Sequence, residues 1–141
     1  MKLYLILGLI FALLGVVLGA FGAHGLKSAH LAPELIQTYE IGVRYQFYHA
    51  FALILVFILQ KINEGEAKKQ AIFSGLNWAG RCFLMGIVLF SGSLYLLACR
   101  ELLPFSVLWA GPITPLGGVF FIVGWFLVAR ASLHFNPTSH E

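Results

Sequence analysis

The residues with the clearest potential for chemistry form one short polar arc inside an otherwise apolar part of the chain. These residues are Glu40, Arg44, Tyr45, Gln46, Tyr48 and His49. At helical spacing Glu40, Arg44 and Tyr48 share one stripe, and Tyr45 and His49 share the neighbouring stripe. Arg44 can pair with Glu40 one turn back, and Tyr48 can hydrogen-bond to the guanidinium or stack on it. The arc therefore predicts a small polar site that binds an anion or a lipid headgroup.

His24 is a second candidate residue. It follows the first apolar stretch and would lie on the same side of the membrane as the start of the arc. If the two meet, a proton could pass between His24 and His49. The competing interpretation is structural. In it Tyr45 and Tyr48 form an aromatic belt, Arg44 extends to the membrane surface, and His49 bonds to a neighbouring backbone group. The sequence leaves both interpretations open.

Metal binding and nucleophilic catalysis are only weakly indicated by the sequence. The candidate histidine ligands are His24, His30 and His49, and no two of them are spaced i, i+4. Ser91 and Ser93 have no acid or base beside them on the helix, and serine in a membrane helix usually bonds its own backbone. We therefore expect no enzyme, no metal and no cofactor.

Four long apolar stretches must position these residues. They cover residues 3–23, 41–59, 79–98 and 113–133, and a bilayer core needs roughly 20 apolar residues per helix. The chain is 60% hydrophobic and 11% charged, whereas a soluble domain has about 25% charged residues. The sequence predicts an all-α integral membrane protein, a four-helix transmembrane bundle in one domain over residues 1–141. Its first partner is the lipid bilayer, and no basic block suggests nucleic acid.

The second span is unusual because its uninterrupted apolar run, residues 50–59, is only half a crossing. To cross the bilayer the helix must recruit residues 41–49, which carry the polar arc. Pro33 suits the first turn of a helix, and Glu34 suits its positive end. We therefore expect an amphipathic helical lead-in over residues 33–42 that lies at the surface and bends into the span.

Small residues recur along the other spans. The predicted helix-packing positions are Gly8, Gly15, Gly19, Gly22, Gly86, Gly117 and Gly124. Lipid gives no hydrophobic reward for helix association, so close backbone approach through small residues must supply the packing. Residues 15–19 form a GxxxG motif. We favour packing within the chain over homodimerisation for this stripe.

Four segments together resemble one known family. They are GAFGAHGL at residues 19–26, RYQFYHA at 44–50, LFSGSLY at 89–95 and ITPLGG at 113–118. In this order the chain resembles the YgdD-like family, the UPF0382 or DUF423 group of small bacterial inner-membrane proteins of unknown function. The resemblance covers nearly the whole chain. It implies a multi-pass protein of the cytoplasmic membrane and supplies no activity, cofactor or catalytic residue.

Two functions fit these observations. The first is a non-enzymatic accessory or interaction component, which packs on itself as a homo-oligomer or on a larger membrane complex through its small-residue stripes. The second is binding or translocation of a small solute, ion or lipid headgroup by an oligomer, at the site near Arg44 and His49. The sequence favours the first slightly.

The orientation follows from the basic residues near the span ends. One side of the membrane holds both termini and the second loop, with Lys2, Lys61, Lys68, Lys69, Arg81 and Arg130. The other side holds Lys27, Arg44 and Arg100. Because the more basic side remains in the cytoplasm, reporter fusions at the C-terminus and in the second loop should both read cytoplasmic. A periplasmic signal from either fusion would reverse the orientation.

Overall fold

The computed structural model describes residues 2–63 and 70–133. Lys68 and Lys69, which entered the orientation argument, lie outside the described residues. The helices are α1 (Lys2–Phe21), α2 (Pro33–Ile62), α3 (Gln70–Gly86), α4 (Gly92–Ala98) and α5 (Ile113–Ser132). A π-helical turn, Gly22–Leu26, extends α1, and a π-helical segment, Ile87–Ser91, joins α3 to α4.

Four helical segments are long and apolar enough to cross a membrane. They are Lys2–Leu26, Pro33–Ile62, Ile72–Ala98 and Leu108–Ser132, and the described residues contain no strand. The predicted fold class, an all-α four-helix membrane bundle, is confirmed. The last two helices are joined through two short 3-10 turns, Arg100–Leu102 and Leu108–Ala110, between which Val107 is buried.

The lead-in before the second span is present as the first part of α2, and no break separates it from the span. Pro33 lies in the first turn, with Glu34 at the positive end of the helix. Leu35 and Tyr39 are buried in a cluster at this end of the bundle. At Gly42, where we expected a bend, the ring of Tyr95 lies against the helix, since an added Cβ would be 2.9 Å from Tyr95 Cε1.

The glycine stripe of α1 lies against α2. A Cβ added at Gly8 would be 2.8 Å from the backbone oxygen of Ala50. One added at Gly15 would be 2.6 Å from the ring of Phe47. Because lipid offers no hydrophobic drive for association, this close approach supplies the dispersion contacts that join the two helices.

The same contact continues toward the end of the first helical segment. A Cβ added at Gly22 would be 2.8 Å from the ring of Tyr39, and one at Gly19 would be 3.5 Å from Val43. Gly19 therefore has ordinary room for a methyl group, whereas Gly22 has none. The stripe is used for packing within the chain.

Three glycine–phenylalanine contacts join α5 to the third membrane-crossing segment. A Cβ added at Gly86 would overlap the ring of Phe121, and one at Gly124 would be 2.6 Å from Phe83.

The closest approach of the backbones is at Gly117. A Cβ added there would overlap the backbone nitrogen of Phe90, which lies in the π-helical segment Ile87–Ser91. A π-helical segment widens a helix by one residue and changes which residue faces the neighbour. This segment therefore lies where the two backbones are closest.

Gly117→Ala should destabilise the protein, whereas Gly92→Ala should not. Nothing lies within 4 Å of a Cβ added at Gly92, so alanine there should be neutral or stabilise by up to about 1 kcal/mol through helix propensity. Gly117→Ala forces two backbones apart and should cost about 1–3 kcal/mol. Reversible unfolding in mixed detergent–lipid micelles measures both changes. Equal stability of the two variants would show that the backbones do not meet at Gly117.

Candidate functional site: an aromatic groove at His49

A groove of about 700 Å³ lies between α2 and α5, beside the π-helical segment. It is lined by Tyr45, Tyr48, His49, Phe90, Gly118, Phe121, Ile122 and Trp125. His49 is one of its innermost residues, with 4% of its surface exposed. Tyr48 and Ile122 form its more exposed margin, at 56% and 70%. The groove is therefore deep on the His49 side and open on the outer side of the helix pair.

Both ring nitrogens of His49 make hydrogen bonds within the bundle. Nδ1 lies 2.8 Å from the carbonyl oxygen of Tyr45, and Nε2 lies 3.2 Å from the indole nitrogen of Trp125. An indole N–H can only donate, so Nε2 is the acceptor and Nδ1 carries the proton that it donates to the carbonyl. His49 is thus a neutral imidazole with a defined tautomer.

Aromatic rings enclose this imidazole. Its ring is stacked on Phe121, with centroids 3.4 Å apart and planes 8° apart. Trp125 meets Phe83 edge to face at 5.2 Å, and Tyr45 lies 4.7 Å from Phe90. This apolar enclosure favours the neutral imidazole over an imidazolium. His49 lies roughly 24 Å from Pro33 and 20 Å from Ile62 along α2, which is near the middle of the span.

Gln46 faces away from the groove. It is 3% exposed, its amide nitrogen donates to the carbonyl of Phe11 at 2.8 Å, and its amide oxygen accepts from the hydroxyl of Tyr95 at 2.9 Å. One side chain therefore links α1, α2 and α4. Because both partners are inside the protein, Gln46 avoids the cost of an unsatisfied polar group in lipid.

The three remaining predicted site residues are exposed and do not line the groove. They are His24, Glu40 and Arg44. Within the described part of the chain, no hydrogen bond or ion pair joins Arg44 to Glu40. The structure thus brings Tyr45, Tyr48 and His49 together and leaves the charged members of the arc outside. The groove contains no charged side chain among its lining residues.

Half of the site comes from α5, and none of these α5 residues was among the predicted site residues. Gly118, Phe121, Ile122 and Trp125 have the i, i+3, i+4, i+7 spacing of one helix face, and this pattern could have identified the face. Nothing in the sequence indicates that this face lies opposite His49. Among the described residues, no group of three or more potential metal ligands occurs.

The bundle and its internally bonded polar residues define an α-helical multi-pass membrane protein. Residues 18–118 match the family described as "Protein of unknown function (DUF423)". The chain belongs to this family, as the resemblance implied.

Several relatives are similar over nearly their whole length. UPF0382 membrane protein YwdK of Bacillus subtilis strain 168 is 43% identical, with 96% of this chain and 99% of that protein aligned. UPF0382 membrane protein SAB0533 of Staphylococcus aureus is 38% identical, over 96% of this chain and 98% of that protein. UPF0382 membrane protein SH2409 of Staphylococcus haemolyticus is 37% identical, with the same coverage. No solved structure matches the fold.

The hydrogen bond between His49 and Trp125 should appear as a coupling energy. Trp125→Phe removes the donor and keeps a ring, and His49→Phe removes the acceptor. The double variant should lose about 0.6 kcal/mol less free energy of unfolding than the two single variants lose together. This coupling is typical of a hydrogen bond in a membrane protein. The measurement is a double-mutant cycle on reversible unfolding in micelles.

The matched control for this cycle is Tyr95→Phe combined with Trp125→Phe. The hydroxyl of Tyr95 donates to Gln46 and not to the groove, so these two effects should add within about 0.5 kcal/mol. Additivity in the His49 cycle as well would contradict the assigned tautomer and its bond.

Proposed function

We propose that this protein is a non-enzymatic accessory component of the bacterial cytoplasmic membrane that holds a lipid-soluble molecule in the groove at His49. The observation that carries the proposal is the state of two hydroxyl groups. Tyr45 and Tyr48 line the groove, and their hydroxyls make no hydrogen bond with any other described residue. Polar groups at membrane depth need partners, and a ligand with acceptor atoms would supply them.

A binding role is supported over an enzymatic one by the bonding of His49. A general base must have a free nitrogen to take a proton from a substrate. Here one nitrogen already donates to a backbone carbonyl, and the other already accepts from Trp125. His49 is thereby suited to fixing the position of Trp125 and the rings around it.

The size of the groove favours a small molecule over a partner helix. Small-molecule sites commonly enclose about 300–1,000 Å³, and the groove volume of about 700 Å³ lies within that range. A helix with its side chains is about 10–12 Å across, so a partner helix would cover the open margin at Tyr48 and Ile122 with its backbone outside the groove. The ligand would be a molecule dissolved in the bilayer.

The lining defines the chemical class of the ligand. Tyr45, Phe90, Phe121 and Trp125 offer ring faces and edges, which bind planar or branched apolar groups well. The two tyrosine hydroxyls offer donors. We therefore infer a ligand with a planar or unsaturated apolar portion and one or two hydrogen-bond acceptors, such as a carbonyl or ether oxygen.

Translocation of a solute or ion at Arg44 and His49 receives less support. That function needs the charged and titratable members of the arc in one water-accessible site. Arg44 is exposed, whereas His49 is buried among aromatic rings and points toward Trp125. For orientation we keep both termini in the cytoplasm, since the basic residues Lys2, Lys61 and Arg130 belong to that side of the sequence.

The test is purification in a gentle detergent, followed by mass spectrometry of the small molecules that copurify. We expect one enriched lipid-soluble compound with the wild-type protein. Gly118→Leu should remove it, because a Cβ there has ordinary room at 3.8 Å from Phe90 and the longer side chain would extend into the groove. Tyr45→Phe with Tyr48→Phe should weaken retention about fivefold for each hydrogen bond lost.

Gly92→Leu is the matched control. It adds the same side chain at a position with nothing within 4 Å, and it should retain the compound at the wild-type level. If Gly118→Leu and Gly92→Leu retain the same molecules in the same amounts, the groove is not a ligand site. Circular dichroism and gel filtration of each variant separate lost binding from lost folding.

A further inference from the structure

A second cleft lies at the opposite end of the bundle from the Tyr39 cluster, between the start of α3 and the end of α5. Its volume is about 320 Å³, and its lining includes Ser74, Gly75, Trp78, Leu127 and Arg130. It combines apolar walls with a hydroxyl, an indole and a guanidinium. This composition differs from that of the groove at His49, which contains no charge.

A second guanidinium lies beside the cleft. The terminal carbon of the Arg81 guanidinium is 4.9 Å from the centroid of the Trp78 ring, the geometry of a cation–π contact. Arg81 does not line the cavity itself, but it contacts Trp78, which does. Arg81 and Arg130 together place two planar, permanently charged groups around one indole ring, and guanidinium groups bind phosphate in bidentate fashion.

The charge of the described residues differs strongly between the two ends of the bundle. The end that contains the cleft carries Lys2, Lys61, Arg81 and Arg130. The hydroxyl of Tyr4 donates to the carbonyl of Asn77, so the start of α1 lies level with the cleft. All acidic residues within the described ranges belong to the other end, namely Glu34, Glu40 and Glu101. In sequence, the segments 64–69 and 134–141 contain three glutamates and two lysines, so basic residues still outnumber acidic residues on this side of the chain.

We propose that the cleft at Trp78, Arg81 and Arg130 binds the phosphate group of an anionic glycerophospholipid. The guanidinium of Arg130 would contact the phosphate oxygens within the cleft, and the Arg81 guanidinium would add a second positive charge beyond the indole. The hydroxyl of Ser74 would donate to a headgroup oxygen. Anionic lipids are attracted to clusters of basic residues at the membrane surface by about fivefold in affinity for each residue.

The apolar part of the lining supports a lipid over a free anion. Ile72, Leu127 and Ala131 line the same cavity as Arg130. A hydrated inorganic phosphate gains nothing from these side chains, whereas the glycerol backbone and first methylene groups of a lipid would lie against them. The position of Trp78, an interfacial residue type beside two arginines, matches the depth of a headgroup.

The test compares two lipids that differ in headgroup charge. The purified full-length protein is titrated in detergent with dioleoylphosphatidylglycerol or dioleoylphosphatidylcholine, and bound lipid is counted by native mass spectrometry. We expect the wild-type protein to bind phosphatidylglycerol more tightly. R81Q/R130Q should lower that affinity by more than tenfold, at about fivefold for each arginine. It should lower phosphatidylcholine binding much less, because the choline cation already offsets the charge of that phosphate.

The matched control is R44Q/R100Q. It removes two exposed arginines from the other end of the bundle and makes the same change in net charge. It should keep the wild-type lipid preference within about twofold, less than the effect of one interfacial charge. If both double variants lose the same affinity for phosphatidylglycerol, net charge alone explains the effect and the proposed site is wrong. The absence of a lipid preference in the wild-type protein would contradict the site as well.

Two further measurements complete the test. Displacement of the lipid by millimolar inorganic phosphate would identify a free-anion site and overturn the assignment to lipid. Circular dichroism and gel filtration show whether R81Q/R130Q folds. If it does not, R130Q takes its place, because this single variant keeps the Arg81–Trp78 contact. Its affinity for phosphatidylglycerol should fall about fivefold. Unchanged affinity in a folded R130Q would overturn the proposal.

Discussion

The structure depends on close contact between glycines and aromatic rings. In a bilayer the surrounding lipid is as apolar as a leucine side chain, so helices gain little by burying apolar surface and must be joined by dispersion and hydrogen bonds. A glycine removes the side chain that would keep two helices apart, and a ring from the neighbour fills the space with many contacts at once. The pairs Gly15–Phe47 and Gly124–Phe83 show this arrangement in two different helix pairs.

Two of the rings that pack against glycines also help to form the groove, Phe121 by lining it and Phe83 by contacting Trp125. Phe121 lies on Gly86 and stacks on His49. Phe83 lies on Gly124 and meets the edge of Trp125, which donates to His49. The position of the imidazole is therefore set by glycines that do not touch it. A protein that packs its helices in this way obtains a rigid aromatic site without adding any residue for that purpose.

Several polar groups at membrane depth can be sorted into two kinds by their partners, although the buried hydroxyl of Ser91, which has none among the described residues, belongs to neither kind. The first kind has partners inside the chain: Gln46 bonds Phe11 and Tyr95, and the hydroxyls of Ser93 and Thr114 lie 2.7 Å apart. These bonds link neighbouring segments of the bundle and satisfy groups that lipid cannot. The second kind, the hydroxyls of Tyr45 and Tyr48, has no partner among the described residues and lines the groove. The contrast distinguishes residues that hold the bundle together from residues available to a ligand.

The sequence alone determined the fold class, because the length and spacing of apolar stretches are set by the thickness of the bilayer and by helix rise. It also predicted that small residues at helical spacing pack, which agrees with the close contact at Gly15, whereas Gly19 has room for a methyl group and the contact at Gly42 was not predicted. The composition of the site was decided only by the tertiary structure. The arc on α2 spreads over a wide sector of the helix, and which part of it meets protein depends on how α2 is rotated against its neighbours. That rotation is fixed by distant contacts such as Gly8 with Ala50 and Gly42 with Tyr95. It turns His49 toward α5, Gln46 toward α1 and Arg44 outward, and no local pattern in the sequence carries this information.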